Sequence, residues 1–155
     1  MPAWVAVQGA VACRAMARDL DRYLGDGGMA LLGHLGVCFS AYTPERAEAE
    51  WVPTRECCNP QGMVQAGVHA VVLDAAMNFA MLAGLESGER GATLEMTVST
   101  MRPAREGDTL HVVGTVTRLA KRVAWCDAQV LDDDQQVMSR ASGVFIVNRR
   151  ADSTG

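Results

Sequence analysis

The chain has 155 residues, 49% of them hydrophobic and 21% charged, with a formal net charge of −4. That is the length of one domain, with enough apolar material for a sizeable core, and its acidic balance argues against nucleic acid, which asks for a basic face. Five cysteines, an odd number without a CxxC pair, and isolated histidines give neither a secreted disulfide framework nor zinc-ligand spacing.

The apolar start, MPAWVAVQGAVAC, lacks the basic opening and the length of a signal peptide or a membrane span. A cytoplasmic protein with reduced thiols is expected. Residues 9–24 set Val11, Ala15, Leu20 and Leu24 against Arg14, Arg18, Asp21 and Arg22. That pattern predicts a short amphipathic helix capping the domain, ended by the glycines at 25, 27 and 28. Met29–Leu35 reads as an apolar link and Gly36–Tyr42 as a first strand. Thr43–Glu56 mixes a helix-start signal with the period-two run Ala47, Glu48, Ala49, Glu50, Trp51, and is read as an edge strand.

Asn59–Leu82, NPQGMVQAGVHAVVLDAAMNFAML, is the stretch around which the rest is organised. A turn at Asn59-Pro60 and Gly62 leads into about four helical turns of Ala, Val, Leu, Met and Phe. A helix apolar all round is normally buried. Asp74 stands in its middle, with Asn78 one turn on and His69 a little over a turn before. An ionised carboxylate in a dry interior is costly unless paired, hydrogen-bonded or used. Asp74 is therefore either bonded to a local amide or Arg, or functional.

After a polar loop at 84–91 come four β-rich runs: Ala92–Met101, Thr109–Leu119, Val123–Leu131 and Val137–Val147. Their separators carry turn chemistry. Consecutive strands with short turns imply antiparallel pairing. One long helix amid about six strands gives an α+β plan, the sheet curled around the helix. The basic cluster Arg118, Lys121, Arg122 reads as a solvated hairpin end, or as a phosphate contact. The tail from Asn148 is polar. No repeat, low-complexity tract or second domain is evident over residues 1–155, and the domain core is expected at about 29–147.

At this point the sequence resembles the hotdog-fold acyl-CoA thioesterases of the phenylacetate-pathway (PaaI) type. Their motif runs Asn-x-x-Gly-x-x-His-Gly-Gly, then six residues, then Asp. Asn59, Gly62, Gly67 and Asp74 fall on it without a gap. Thr93-Leu94-Glu95-Met96, Met101-Arg102-Pro103-Ala104 and Gly107-Asp108 resemble the next strand and its Arg-Pro-Ala turn, and His34-Leu35-Gly36 the lead into the first strand. Two positions depart: Gln65 replaces the family His, and Ala66 its first Gly. Gln can donate and accept hydrogen bonds but cannot shuttle a proton. His69, one turn past Gln65, is a partial substitute or simply a packed residue.

The resemblance implies a hotdog fold and a thioester hydrolase. Helix-start amides would polarise the thioester carbonyl, and Asp74 would act as nucleophile or as base for water. A helix N-terminus at Gly67 suits a developing oxyanion, and glycine lets substrate approach the backbone. Gly67 and Asp74 share a helix face but stand roughly 10 Å apart along the axis. One carbonyl cannot be held by the first and attacked through the second, since reacting groups lie within about 3–3.5 Å. Either the two belong to different sites, or Asp74 serves the Gly67 end of a partner's helix; the second is expected, in an isologous dimer. Whether dimers pair into tetramers is open.

Asn59, Gln65 and Thr93 are expected to position substrate or water. Gly62, Ala66, His69, Asn78, Met77, Arg102 and Arg122 are expected to touch it. Met63, Met81 and Met101 are further acyl-pocket candidates, and Arg105 a phosphate candidate. No metal or redox cofactor is called for, coenzyme A entering only with the substrate; no nucleic-acid or membrane partner is expected. The alternatives are a non-hydrolytic acyl-CoA or acyl-carrier binding protein, suggested by Gln65 and Ala66, and, lower, a hotdog dehydratase, which lacks a placed His.

Overall fold

A computed structural model describes residues 20–149. Six strands form one sheet: β1 (Val37–Thr43), β2 (Arg46–Trp51), β3 (Arg90–Thr100), β4 (Leu110–Leu119), β5 (Val123–Leu131) and β6 (Val137–Asn148). A short helix α1 (Ala30–His34) precedes β1, and the long helix α2 (Ala66–Gly84) joins β2 to β3. The strand order is β1-β2-β4-β5-β6-β3, every pairing antiparallel. The chain thus leaves β2, crosses the sheet's inner face as α2, and returns at the far edge as β3. This is the α+β hotdog plan.

The helix lies close because the inner face of the sheet is cut away beneath it. At Gly114 on β4 an added Cβ would overlap the carbonyl of Ala76 on α2, and at Gly143 it would come within 3.1 Å of the Met77 side chain. At Gly91 it would meet Met81. His69, Val72, Leu73, Ala76, Met77, Phe79, Ala80 and Met81 form the buried side of α2. They pack on Ala47, Ala49, Trp51, Val112, Ala128, Val130 and Phe145. Phe79 anchors an aromatic cluster, its ring 5.2 Å from Phe39 and 5.3 Å from Tyr42. Each such large side chain removed from water contributes about 1.5–3 kcal/mol. The same helix, at 19 residues and mean hydropathy 1.5, is long and apolar enough to cross a bilayer; here one side of it is the core.

Four expectations are corrected. Of the helix expected over 9–24, residues 9–19 lie outside the described residues. The remainder is a 3₁₀ turn at Asp21–Tyr23 with Leu24 already extended, because Gly25, Gly27 and Gly28 all take positive φ. The Met29–Leu35 link contains α1. Thr43–Glu56 does not supply an edge strand: β2 is bonded on both sides, by β1 and β4. Its prolines do not oppose this, since Pro44 and Pro53 fall just outside the strand and remove no ladder donor. The edges are β1 and β3. Finally, β3 does not pair with the next strand, β4, but with β6, because α2 has carried it across the sheet.

Candidate active site

The strap into α2 is fixed before the helix begins. The Asn59 side-chain oxygen accepts the amides of Gln61 and Met63 at 3.0 and 3.2 Å, closing a turn that Gly62 completes at φ 77°. Val64 N–H donates to the Ala104 carbonyl, and Met63 bridges to Arg105. The Arg102-Pro103-Ala104 turn is itself tied to β6 through the Arg102 guanidinium, 3.1 Å from the Val137 carbonyl. Two sequence-distant turns therefore aim the start of α2.

That start is open. Gln65 is the N-cap, its own amide donating to Cys57 and its side chain making no cap bond. Gln65, Ala66 and Gly67 are exposed. Among the described residues the Ala66 and Gly67 amides have no acceptor, leaving two donors at the positive end of the helix dipole. A Cβ at Gly67 would meet nothing within 4 Å.

Asp74 is half-buried rather than interior. It belongs to the strip of α2 that the sheet leaves uncovered, which runs through Gly67, Val71, Asp74, Asn78 and Leu82. Its Oδ1 accepts a 2.7 Å hydrogen bond from the Thr93 hydroxyl on β3, and among the described residues no ion pair neutralises it. Thr93 reaches Asp74 because the β3–β6 register shifts between Thr93 and Glu95. Such an irregularity re-aims a side chain. Before it Gly91 and Thr93 face the helix; after it Met96 and Val98 do. Leu94, at the shift, is left 59% exposed.

The other expected residues divide. Asn78 is half-buried on the same open strip as Asp74. Met77 and Met81 are fully buried core, a quarter-turn and more away from the strip, while Met101 is exposed at the end of β3. Arg102 and Arg105 flank the strap. Arg122 does not: it sits in the β4–β5 turn, its carbonyl bonded by Val147. Arg149 links that turn to Glu89 beyond the far end of α2, roughly 25 Å along the helix from Gly67. Cys57, buried, directs its thiol at the Leu35 carbonyl.

His69 does not border the open strip. It is 2% exposed, its Nδ1 lies 2.8 Å from the Ser139 hydroxyl and its ring packs edge-on to Trp51. Burial lowers its pKa from 6.5 to about 4. The unfolded chain therefore binds a proton here between pH 6.5 and 4 that the folded chain refuses. The stability this site contributes is whole above pH 6.5 and falls on acidification toward pH 4, by an amount on the order of 3 kcal/mol. His69→Gln should flatten the dependence of the urea midpoint on pH between 7 and 4.5. An unchanged slope would refute it.

A sequence model of the thioesterase superfamily matches residues 61–139. A Pseudomonas aeruginosa protein named as an esterase is 30% identical over 88 residues, which is 57% of this chain and 65% of that protein, just under two thirds of its length. Among solved structures, a Ralstonia eutropha protein described as a thioesterase related to phenylacetic acid degradation is 27% identical, with TM-score 0.69 over 76% of this chain and 89% of that one. A Streptococcus mutans protein solved with acetyl-CoA shares the fold at 15% identity, with TM-score 0.69 over 74% of this chain and 90% of that one. The strap, the helix start and the Asp74 strip all fall within or beside the matched segment, and the chain belongs to the thioesterase superfamily.

Proposed function

We propose that the protein hydrolyses acyl-CoA thioesters as an isologous dimer. Each site would combine Asp74 and Thr93 of one copy with the start of α2 from the other. The observation that carries this reading is the 2.7 Å Thr93–Asp74 hydrogen bond on the open strip of α2, where Asp74 is the one charged residue. It engages one carboxylate oxygen and leaves the other to take a proton from water, or to attack. The two free amides at Ala66 and Gly67 are the matching half, suited to the oxyanion of the tetrahedral intermediate. Within one chain they stand too far from Asp74 to share a carbonyl with it. An antiparallel second copy brings its helix start over Asp74.

Two surface features favour such a partner. The strip's Ala66, Gly67, Ala70 and Ala75 permit close helix approach. The free edge of β3 is long, and exposes Leu94 and Met101 at 59% and 48%; an edge of that kind is usually covered. The partner would also supply the desolvation that Asp74 lacks in a single chain. Gln65, unbonded at the N-cap, would orient the thioester, Asn59 would hold the strap, and Arg102 and Arg105 would stand near the coenzyme A phosphates. The acetyl-CoA held by the Streptococcus mutans protein supports this substrate class.

Free-thiol release from a panel of acyl-CoAs tests hydrolysis. The second reading, a protein that binds acyl-CoA without turnover, rests on Gln65 and Ala66; binding with no thiol release would select it. Mixing subunits tests the shared site. Gly67→Val and Asp74→Asn homodimers should each be impaired, yet the mixture should regain about a quarter of wild-type activity. Half of randomly paired dimers are mixed, and each mixed dimer has one intact site. No recovery would place both groups in one chain.

A further inference from the structure

The open strip of α2 holds one polar side chain that this reaction does not use. Asn78 lies four residues past Asp74, on the same side of the helix and half-buried. Among the described residues its amide has no hydrogen-bond partner. Other withdrawn polar side chains are satisfied: Asp127 by Thr117 and Ser142 at 2.6 Å each, Ser139 by His69 at 2.8 Å, Glu89 by Arg149 at 2.7 Å. Its neighbours along the strip, Ala75 and Leu82, are half-buried and apolar. Among the described residues no side-chain polar atom is both buried and unbonded, so the Asn78 amide is held by water alone, and a bound group that displaces this water must supply a hydrogen bond in its place.

Four residues advance a helix by about 6 Å and turn it by about 40°. An acyl group lying along the strip from a carbonyl at Asp74 therefore meets the Asn78 amide about 6 Å from its thioester carbon. We infer that Asn78 is a specificity-determining residue that hydrogen-bonds a polar substituent of the acyl group. The favoured substrates are then acyl-CoAs bearing a hydroxyl or carbonyl at that separation, and plain hydrocarbon chains are disfavoured. The amide both donates and accepts, so either substituent is served. An unsubstituted chain would cover Asn78 and leave it unpaired, the kind of mismatch by which sites reject analogues lacking a hydrogen-bonding group. The inference rests on the proposed placement of the thioester at Asp74.

The test compares 5-hydroxypentanoyl-CoA with hexanoyl-CoA, alike in length, with a hydroxyl in one where the other has a methyl. Wild type should prefer the hydroxylated substrate by about tenfold or more in kcat/KM, partial burial holding the effect below that of a closed site. Asn78→Leu, of similar volume, should bring that ratio to about one or below. Non-hydrolysable thioether analogues of both compounds, titrated by calorimetry, should show the same ratio in Kd. Equal kcat/KM in wild type, an unchanged ratio in Asn78→Leu, or loss of the dimer by that variant without a change in ratio would overturn the inference. If neither thioester is hydrolysed but the hydroxylated analogue binds tenfold tighter only with Asn78 present, hydrolysis fails and Asn78's role stands. Equal binding of the analogues would overturn that role too.

Discussion

Asp74→Asn is expected to lower kcat on the best acyl-CoA by about 100-fold or more, the range usual for a positioned acid-base group. The substitution is nearly isosteric, and the new amide oxygen can still accept the Thr93 hydroxyl that now lies 2.7 Å from Oδ1. Packing of the half-buried strip should therefore survive, and KM should change far less than kcat. That split distinguishes a group acting in the transition state from one that only binds substrate. Steady-state kinetics on the purified variant, alongside its unfolding midpoint, provides the measurement. Turnover equal to wild type would remove Asp74 from the reaction; a large fall in the midpoint would recast it as a structural residue.

The largest loss of stability is expected from Gly114→Val. On β4 this glycine faces α2 directly, where a Cβ would overlap the Ala76 carbonyl and lie 3.0 Å from the Met77 nitrogen. Overpacking usually costs about 1–3 kcal/mol because side chains can shift. Here the obstacle is helix backbone, held on its buried face by Leu73, Ala76, Met77 and Ala80. Relief requires lifting the helix from the sheet, so the cost should be at least about 3 kcal/mol, a large part of the total stability of a domain this size. Gly67→Ala supplies the contrast. Its Cβ points into open space, and its midpoint should move by no more than about 0.5 kcal/mol. Urea unfolding of both variants decides the matter: a wild-type midpoint for Gly114→Val would mean that helix and sheet are less closely packed than described.

Much of the candidate site is legible in the sequence alone. The Asn59–Gly62–Gly67–Asp74 spacing located the strap, the helix start and the acid, and Thr93 was expected beside them. What escaped was direction. His69 and Asn78 are both polar residues on one apolar helix, and nothing local tells which is turned inward. His69 packs on Trp51 and Ser139, partners distant in sequence, whereas Asn78 is left on the open side. Met77 was expected at the substrate for the same reason and proves to be core. Arg122, a substrate contact by the sequence reading, is carried by the β4–β5 turn to the other end of α2.

The sequence by itself determined the elements: apolar runs of period two, turn residues between them, and one long helix with a carboxylate at its centre. These follow from local chemistry, in which a proline, a glycine or an alternation acts within a few residues. Only the tertiary structure decided which side of that helix stays open, which strands form the edges, and where the β3 register shifts to turn Thr93 onto Asp74. A helix that is apolar all round carries almost no phase information in its own sequence. Its orientation is set instead by where the sheet has glycines to receive it, at 91, 114 and 143.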